Sequence, residues 1–190
     1  MRLRDSAEGW GWASRLLHWA MAGLILFQLG FGVYIVQVVG DDLIRRFTLT
    51  QLHKSWGFVI FVLALVRVAW RVLNRSRPPL PAMPRWQERA ARLSHRLLYV
   101  FMFLMPLSGW VMASASPTQD LLQMQNMVFE TFALPDPWVP GVKSIEDAAW
   151  WVHTIVAIAL TLLLAVHAAA ALRHQFVDHD DLLARMLWRT

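Results

Sequence analysis

The chain of 190 residues contains no cysteine. That absence excludes disulfides, thiolate-bound metal clusters and cofactors attached through thioether bonds. Charge is scarce as well: 16% of residues are Asp, Glu, Lys or Arg, against 57% hydrophobic. With a positive mean hydropathy, this balance excludes an ordinary soluble domain and points to the membrane class. Internal repeats and low-complexity tracts are also missing. Acidic residues are the scarcer sign, and the net charge is +5. That excess implies no nucleic-acid partner, because its distribution has another explanation.

What the chain does have is four apolar runs, at residues 16–39, 52–73, 97–115 and 148–172. Each is near the about 20 residues that a membrane-spanning helix needs. The third helix is expected to begin outside the hydrocarbon, near residue 93, because Arg and Glu recur at helical spacing between Arg85 and Arg96. The fold expected is all-α: an integral membrane four-helix bundle forming one domain over residues 1–190. Arg2 and Arg4 give the first run a basic start, but it is too long for a signal peptide and no small-residue cleavage site follows. It reads as a permanent helix. All but four of the 18 Lys and Arg lie in the two tails or around the link between helices two and three. The exceptions are Arg45, Arg46, Lys54 and Lys143. The positive-inside rule therefore puts both termini in the cytoplasm. Asp41, Asp42, Asp120, Glu130, Asp136, Glu146 and Asp147 fall on the opposite side. The inner link, 74–92, is broken by Pro78, Pro79, Pro81 and Pro84. The outer connection, 116–147, reads equally as a short interfacial helix over the bundle or as a disordered loop, with a turn at 135–141.

Four histidines carry the chemistry. His153 and His167 are fourteen residues apart in a stretch with no other ionisable group. On a helix that is about 21 Å of rise and nearly the same face. An imidazole inside a span is costly and marks a functional site. His18 lies near the inner start of the first helix and His53 near the outer start of the second. Depth pairs His18 with His167 and His53 with His153. One pair per level suits two axial nitrogens on either face of a flat macrocycle. In a chain without cysteine such a haem is non-covalent, of b type. The residue four positions after each histidine is small: Ala22, Gly57, Ala157 and Ala171, which leaves room for a ring. Gly23, Gly30 and Gly32 either add to that room or pack a neighbouring helix. Arg67, fourteen residues after His53, returns to the same face at the inner level. It either pairs with haem propionates or snorkels to the headgroups as Arg71 does. His95 is a rival ligand at the depth of His18 and His167, although its place between Arg92 and Arg96 favours an interfacial role. His174 and His179 read as lying beyond the hydrocarbon. A zinc site lacks a third ligand at either level, and interhelical hydrogen bonding explains one histidine better than four in two depth pairs.

Several stretches together carry a family resemblance: Arg15-Leu16-Leu17-His18-Trp19, Leu52-His53-Lys54-Ser55-Trp56-Gly57, Ser94-His95-Arg96, and HAAAALRHQFVD at 167–178. Over essentially its whole length the chain resembles the bacterial cytochrome b561 family, small di-haem proteins of the inner membrane. The resemblance implies that His18, His53, His153 and His167 are the axial ligands of two haem b groups. It also implies electron exchange with the quinone pool from a multi-pass position in the bilayer. One branch of the family looks like superoxide oxidases, superoxide:ubiquinone oxidoreductases that take an electron from superoxide at the periplasmic face. For that chemistry Lys54, next to His53, is the expected steering charge, assisted by Arg45, Arg46 and Lys143. Two alternatives stand beside it. One is the cytochrome b subunit of a hydrogenase or formate dehydrogenase complex; the other is a non-redox membrane protein with structural histidines.

Overall fold

In the computed structural model, which describes residues 2–7, 9–74, 78, 83–180 and 182–187, helices dominate. Pro79 and Pro81 of the inner link and Asp181 lie outside the described residues. The elements in order are α1 (Trp12–Gln37), α2 (Leu43–Leu73), α3 (Arg85–Ser114), α4 (Pro117–Leu121), β1 (Asn126–Val128), β2 (Phe132–Leu134), α5 (Lys143–Phe176) and α6 (Leu182–Leu187). The helices α1, α2, α3 and α5 are each long and apolar enough to cross a membrane. Their outward faces carry exposed Leu26, Val33, Val36, Ile155, Leu162 and Val166. A surface so continuously apolar is at home in lipid rather than water. The chain is a multi-pass membrane protein.

Three of the spanning helices reach well beyond their apolar runs, and α3 starts at Arg85 rather than near residue 93. α2 starts at Leu43, not near residue 52, because the Asp42 side chain accepts the Arg45 N–H at 3.0 Å and caps the N-terminus. Thr48 and Thr50 then donate to the carbonyls one turn back, at 3.0 and 2.8 Å. α5 starts at Lys143, whose ammonium meets Glu146 at 3.0 Å and Asp147 at 2.7 Å. These polar turns hold helical structure that hydropathy does not register.

α1 packs on α2, α2 on α3, and α3 most extensively on α5, while α1 and α5 share no comparable contact. The bundle is therefore most open between α1 and α5. A core of Met21, Ile25, Ile60, Ala64, Met102 and Leu160 fills mid-bundle. In sequence each of these lies between the histidine levels, so the core forms an apolar layer separating them. Within lipid, close packing rather than water exclusion holds helices together, and the fully buried Ala64 permits that approach.

The connection from α3 to α5 is ordered, which corrects the disordered reading, and it contains more than a short helix. After five-residue α4 comes an antiparallel hairpin, with Asn126 opposite Leu134 and Val128 opposite Phe132. Its turn places Phe129 at φ 45 and Glu130 at φ 58 without any glycine, a conformation costing roughly 1–2 kcal/mol per residue. Anchors on α2 offset that cost. The Phe129 N–H donates to Ser55 Oγ at 2.9 Å, and the Phe129 ring stands edge-on to Trp56 at 5.4 Å. Farther on, Trp110 Nε1 donates to the Pro135 carbonyl at 3.0 Å, and the Val142 N–H to that of Ala115 at 2.9 Å. The result is a cap over one end of the bundle. At the other end α6 is tied down by Trp19 Nε1 donating to the Met186 carbonyl at 2.9 Å.

Candidate functional site

At the hairpin end, α2 presents His53 and α5 presents His153, with ring centres 6.5 Å apart. Each ring lies against a glycine. A Cβ on Gly32 of α1 would come within 3.3 Å of His53 Cε1, and one on Gly109 of α3 within 3.2 Å of His153 Cε1. The Ser108 hydroxyl donates to the Met105 carbonyl at 2.9 Å. His153 Nδ1 lies 3.0 Å from that hydroxyl oxygen and 3.1 Å from the same carbonyl. Both neighbours are left to accept, so Nδ1 is the protonated nitrogen and Nε2 keeps its lone pair. A cavity of about 580 Å³ opens here, lined by His53, His153, Lys54, Gly57 and Gln28 within an otherwise largely apolar wall.

At the other end His18 and His167 face each other with ring centres 6.3 Å apart. His95 joins this level, 5.4 Å from His167. Arg67 points inward, its Nη2 donating to His18 Nδ1 at 3.1 Å, so it neither snorkels outward nor stands free. An imidazole that binds metal through Nε2 carries its proton on Nδ1 and cannot accept from a guanidinium. Ligation through Nε2 therefore requires Arg67 to turn to a different acceptor.

Do these residues fit a haem? Two nitrogens on opposite faces of one metal put ring centres roughly 6 Å apart: about 2 Å from metal to each nitrogen, and about 1 Å more to each ring centre. The His53–His153 and His18–His167 separations of 6.5 and 6.3 Å both fit. The His95–His167 separation of 5.4 Å is shorter. A further observation agrees. Ala22, Gly57, Ala157 and Ala171 are half-buried on the histidine faces, where a Cβ at Gly57 would meet nothing closer than 4.0 Å. Among the described residues, the only His and carboxylate side chains grouped tightly enough for a three-ligand ion site are His174, Asp178 and Asp180. There His174 Nδ1 contacts Asp180 at 2.6 Å, and Asp180 Oδ1 accepts the Leu182 N–H at 3.2 Å, so the cluster ties α6 to α5.

Lys54 is not an open surface charge. Its Nζ donates to Asn126 Oδ1 at 2.7 Å and Gln119 Oε1 at 3.3 Å, and Asn126 Nδ2 donates in turn to Asp136. Arg45 donates to the Tyr34 hydroxyl at 2.5 Å, and Lys143 is paired with its two acids. Sequence reading passed over Ser108, Gly109, Gln28 and Asn126. The available signal was depth: Ser108 and Gly109 are adjacent small residues near the same end of α3 as His153 is of α5.

Opposed imidazoles without thiols are the donor set for non-covalent haem, and a multi-pass bundle built around them falls in the class of b-type membrane cytochromes. Comparison with known proteins narrows the class. The family model described as prokaryotic cytochrome b561 matches residues 9–189, and the chain belongs to that family. It is 28% identical to "Cytochrome b561 homolog 2" of Escherichia coli, over 100% of this chain and 97% of the relative. It is 29% identical to "Cytochrome b562" of Cereibacter sphaeroides, over 90% of each. It is 23% identical to "Probable superoxide oxidase CybB" of Yersinia pestis, over 72% of this chain and 73% of the relative. Membership implies haem b and electron transport, and it sets aside the reading of the chain as a non-redox membrane protein.

Proposed function

We propose that this protein carries electrons from superoxide to quinone through two haem b groups stacked across a bacterial inner membrane. The observation that supports this most is the pair of opposed imidazoles at each of two depths, 6.5 and 6.3 Å apart. His53 and His153 hold one haem, and His18 and His167 the other. Bound haem supplies reversible one-electron chemistry. Ala22, Gly57, Ala157 and Ala171 leave space for the macrocycles. Arg67, released from His18, turns to a propionate. The net reaction consumes two superoxide anions, one quinone and two protons, and gives two dioxygen and one quinol.

Orientation follows from charge. Basic residues crowd the end that bears both termini, so that end lies in the cytoplasm and the hairpin end in the periplasm. The superoxide relative supports the donor. Lys54 lines the hairpin-side cavity, where a cation attracts an anionic reactant. At the far level, the guanidinium of Arg67 favours an added electron, which sets the direction of transfer inward.

The test is stopped-flow mixing of the purified protein with superoxide and, separately, with quinol. Lys54→Glu is expected to slow reduction by superoxide about tenfold at low ionic strength while leaving reduction by quinol nearly unchanged. Equal rates with superoxide, or an equal loss with quinol, would remove Lys54 as the steering charge and favour a plain quinol-linked cytochrome; a wild-type protein that superoxide does not reduce would remove superoxide as the donor.

A further inference from the structure

Gln28 lies on α1 inside the membrane-spanning bundle and is 8% exposed. A buried amide is costly unless both of its ends find partners. One end does: Nε2 donates to the His53 carbonyl at 2.8 Å. That bond fixes which end of the amide is the donor, so Oε1 is an acceptor, and it is buried with no partner. Gln51 Oε1, Ser114 Oγ and His53 Nδ1 are also unpartnered toward this end, but of these residues His53 alone shares the hairpin-side cavity with Gln28. Gln28 and His53 are already joined through the His53 carbonyl.

The two orphans are complementary. When His53 offers Nε2 to a metal, its ring proton sits on Nδ1 and needs an acceptor. His153 already has such acceptors in Met105 and Ser108, whereas His53 Nδ1 has no partner. We propose that Gln28 Oε1 accepts the His53 Nδ1 proton, directly or through one bridging water, and is thereby a positioning residue for the hairpin-side axial ligand. This rests on the ligand assignment given under the proposed function. An acceptor on Nδ1 fixes the ring plane and makes the imidazole a stronger electron donor to its metal. The potential of the hairpin-side haem is lowered as a result.

The experiment uses the full-length, haem-loaded protein and the variants Gln28→Met and Gln28→Glu. Potentiometric titration and low-spin EPR are recorded for each, and His53→Ala identifies the hairpin-side wave as the one it lacks. Gln28→Met is expected to raise that wave's midpoint and move its EPR signal. Gln28→Glu, which keeps an acceptor oxygen, holds or lowers it, and the other wave stays fixed in both. Hemin titration of the apoprotein should show the hairpin-side site weakened about tenfold in Gln28→Met. If Gln28→Met does not assemble, Gln28→Asn, too short to reach, replaces it with the same expected rise. A hairpin-side wave that does not move, two waves that move equally, or Met and Glu variants that shift the same way would overturn the proposal. A His53→Ala protein that retains both haems would instead overturn the ligand assignment itself.

Discussion

At the hairpin end, His53 and His153 sit beside a walled cavity beneath an ordered cap, each ring against a glycine and His153 held by Met105 and Ser108. At the terminal end, His18 and His167 share their level with His95 and with the guanidinium of Arg67, and α6 is held to α1 there by Trp19. One level brings hydrogen-bond acceptors to the ring of His153; the other brings a cation to the ring of His18. Acceptors on a ligand's ring proton favour the oxidised metal, and a nearby positive charge favours the reduced one. The two levels therefore differ in the sign of what surrounds them, and under the proposed ligand assignment that difference would give the stack a direction.

The largest expected effect breaks the comparison outright. His53→Ala and His153→Ala should each abolish the hairpin-side haem, and His18→Ala and His167→Ala the other one. His95→Ala should keep both. Pyridine haemochrome assays with redox titration of each variant decide this, and loss of the same haem from His95→Ala and His18→Ala would redraw the terminal site around α3.

A smaller effect is confined to one level. Gly109→Ala puts a methyl 3.2 Å from His153 Cε1 and Gly32→Ala one 3.3 Å from His53 Cε1, tighter than ordinary carbon contact. Both should lower hairpin-side haem occupancy and leave the terminal haem intact. Gly23→Ala and Gly30→Ala, with nothing within 4 Å, should change neither. Optical spectra of the purified variants check this.

The smallest effect sharpens the contrast in sign. Arg67→Leu should keep both haems but lower the terminal midpoint, by a free energy of order 1–2 kcal/mol for one charge in a partly screened interior. A redox titration that shows no change, or a change confined to the hairpin-side wave, contradicts the role given to that guanidinium.

The four spans were legible because nothing else explains runs of that length in so apolar a chain. The polar first turns of α2 and α5 were not, since Asp42 and Lys143 act through capping and ion pairs rather than hydropathy. The hairpin was hidden for a different reason. It has no Asn-Gly or Asp-Gly turn, and its three-residue strands are held by Ser55 and Trp56 of a distant helix. Helical rise is fixed, so which histidines share a depth could be read from numbering alone. The supports could not. Ser108 and Gly109 look like the small residues of any membrane helix. The spacing put Arg67 at the inner level but did not say that its nearest acceptor is His18.

The central claim is that each level holds one haem b between its two opposed histidines. Pyridine haemochrome titration of the purified wild-type protein against protein mass tests it most directly. Two haem b per chain is the expected result; one or none would contradict it.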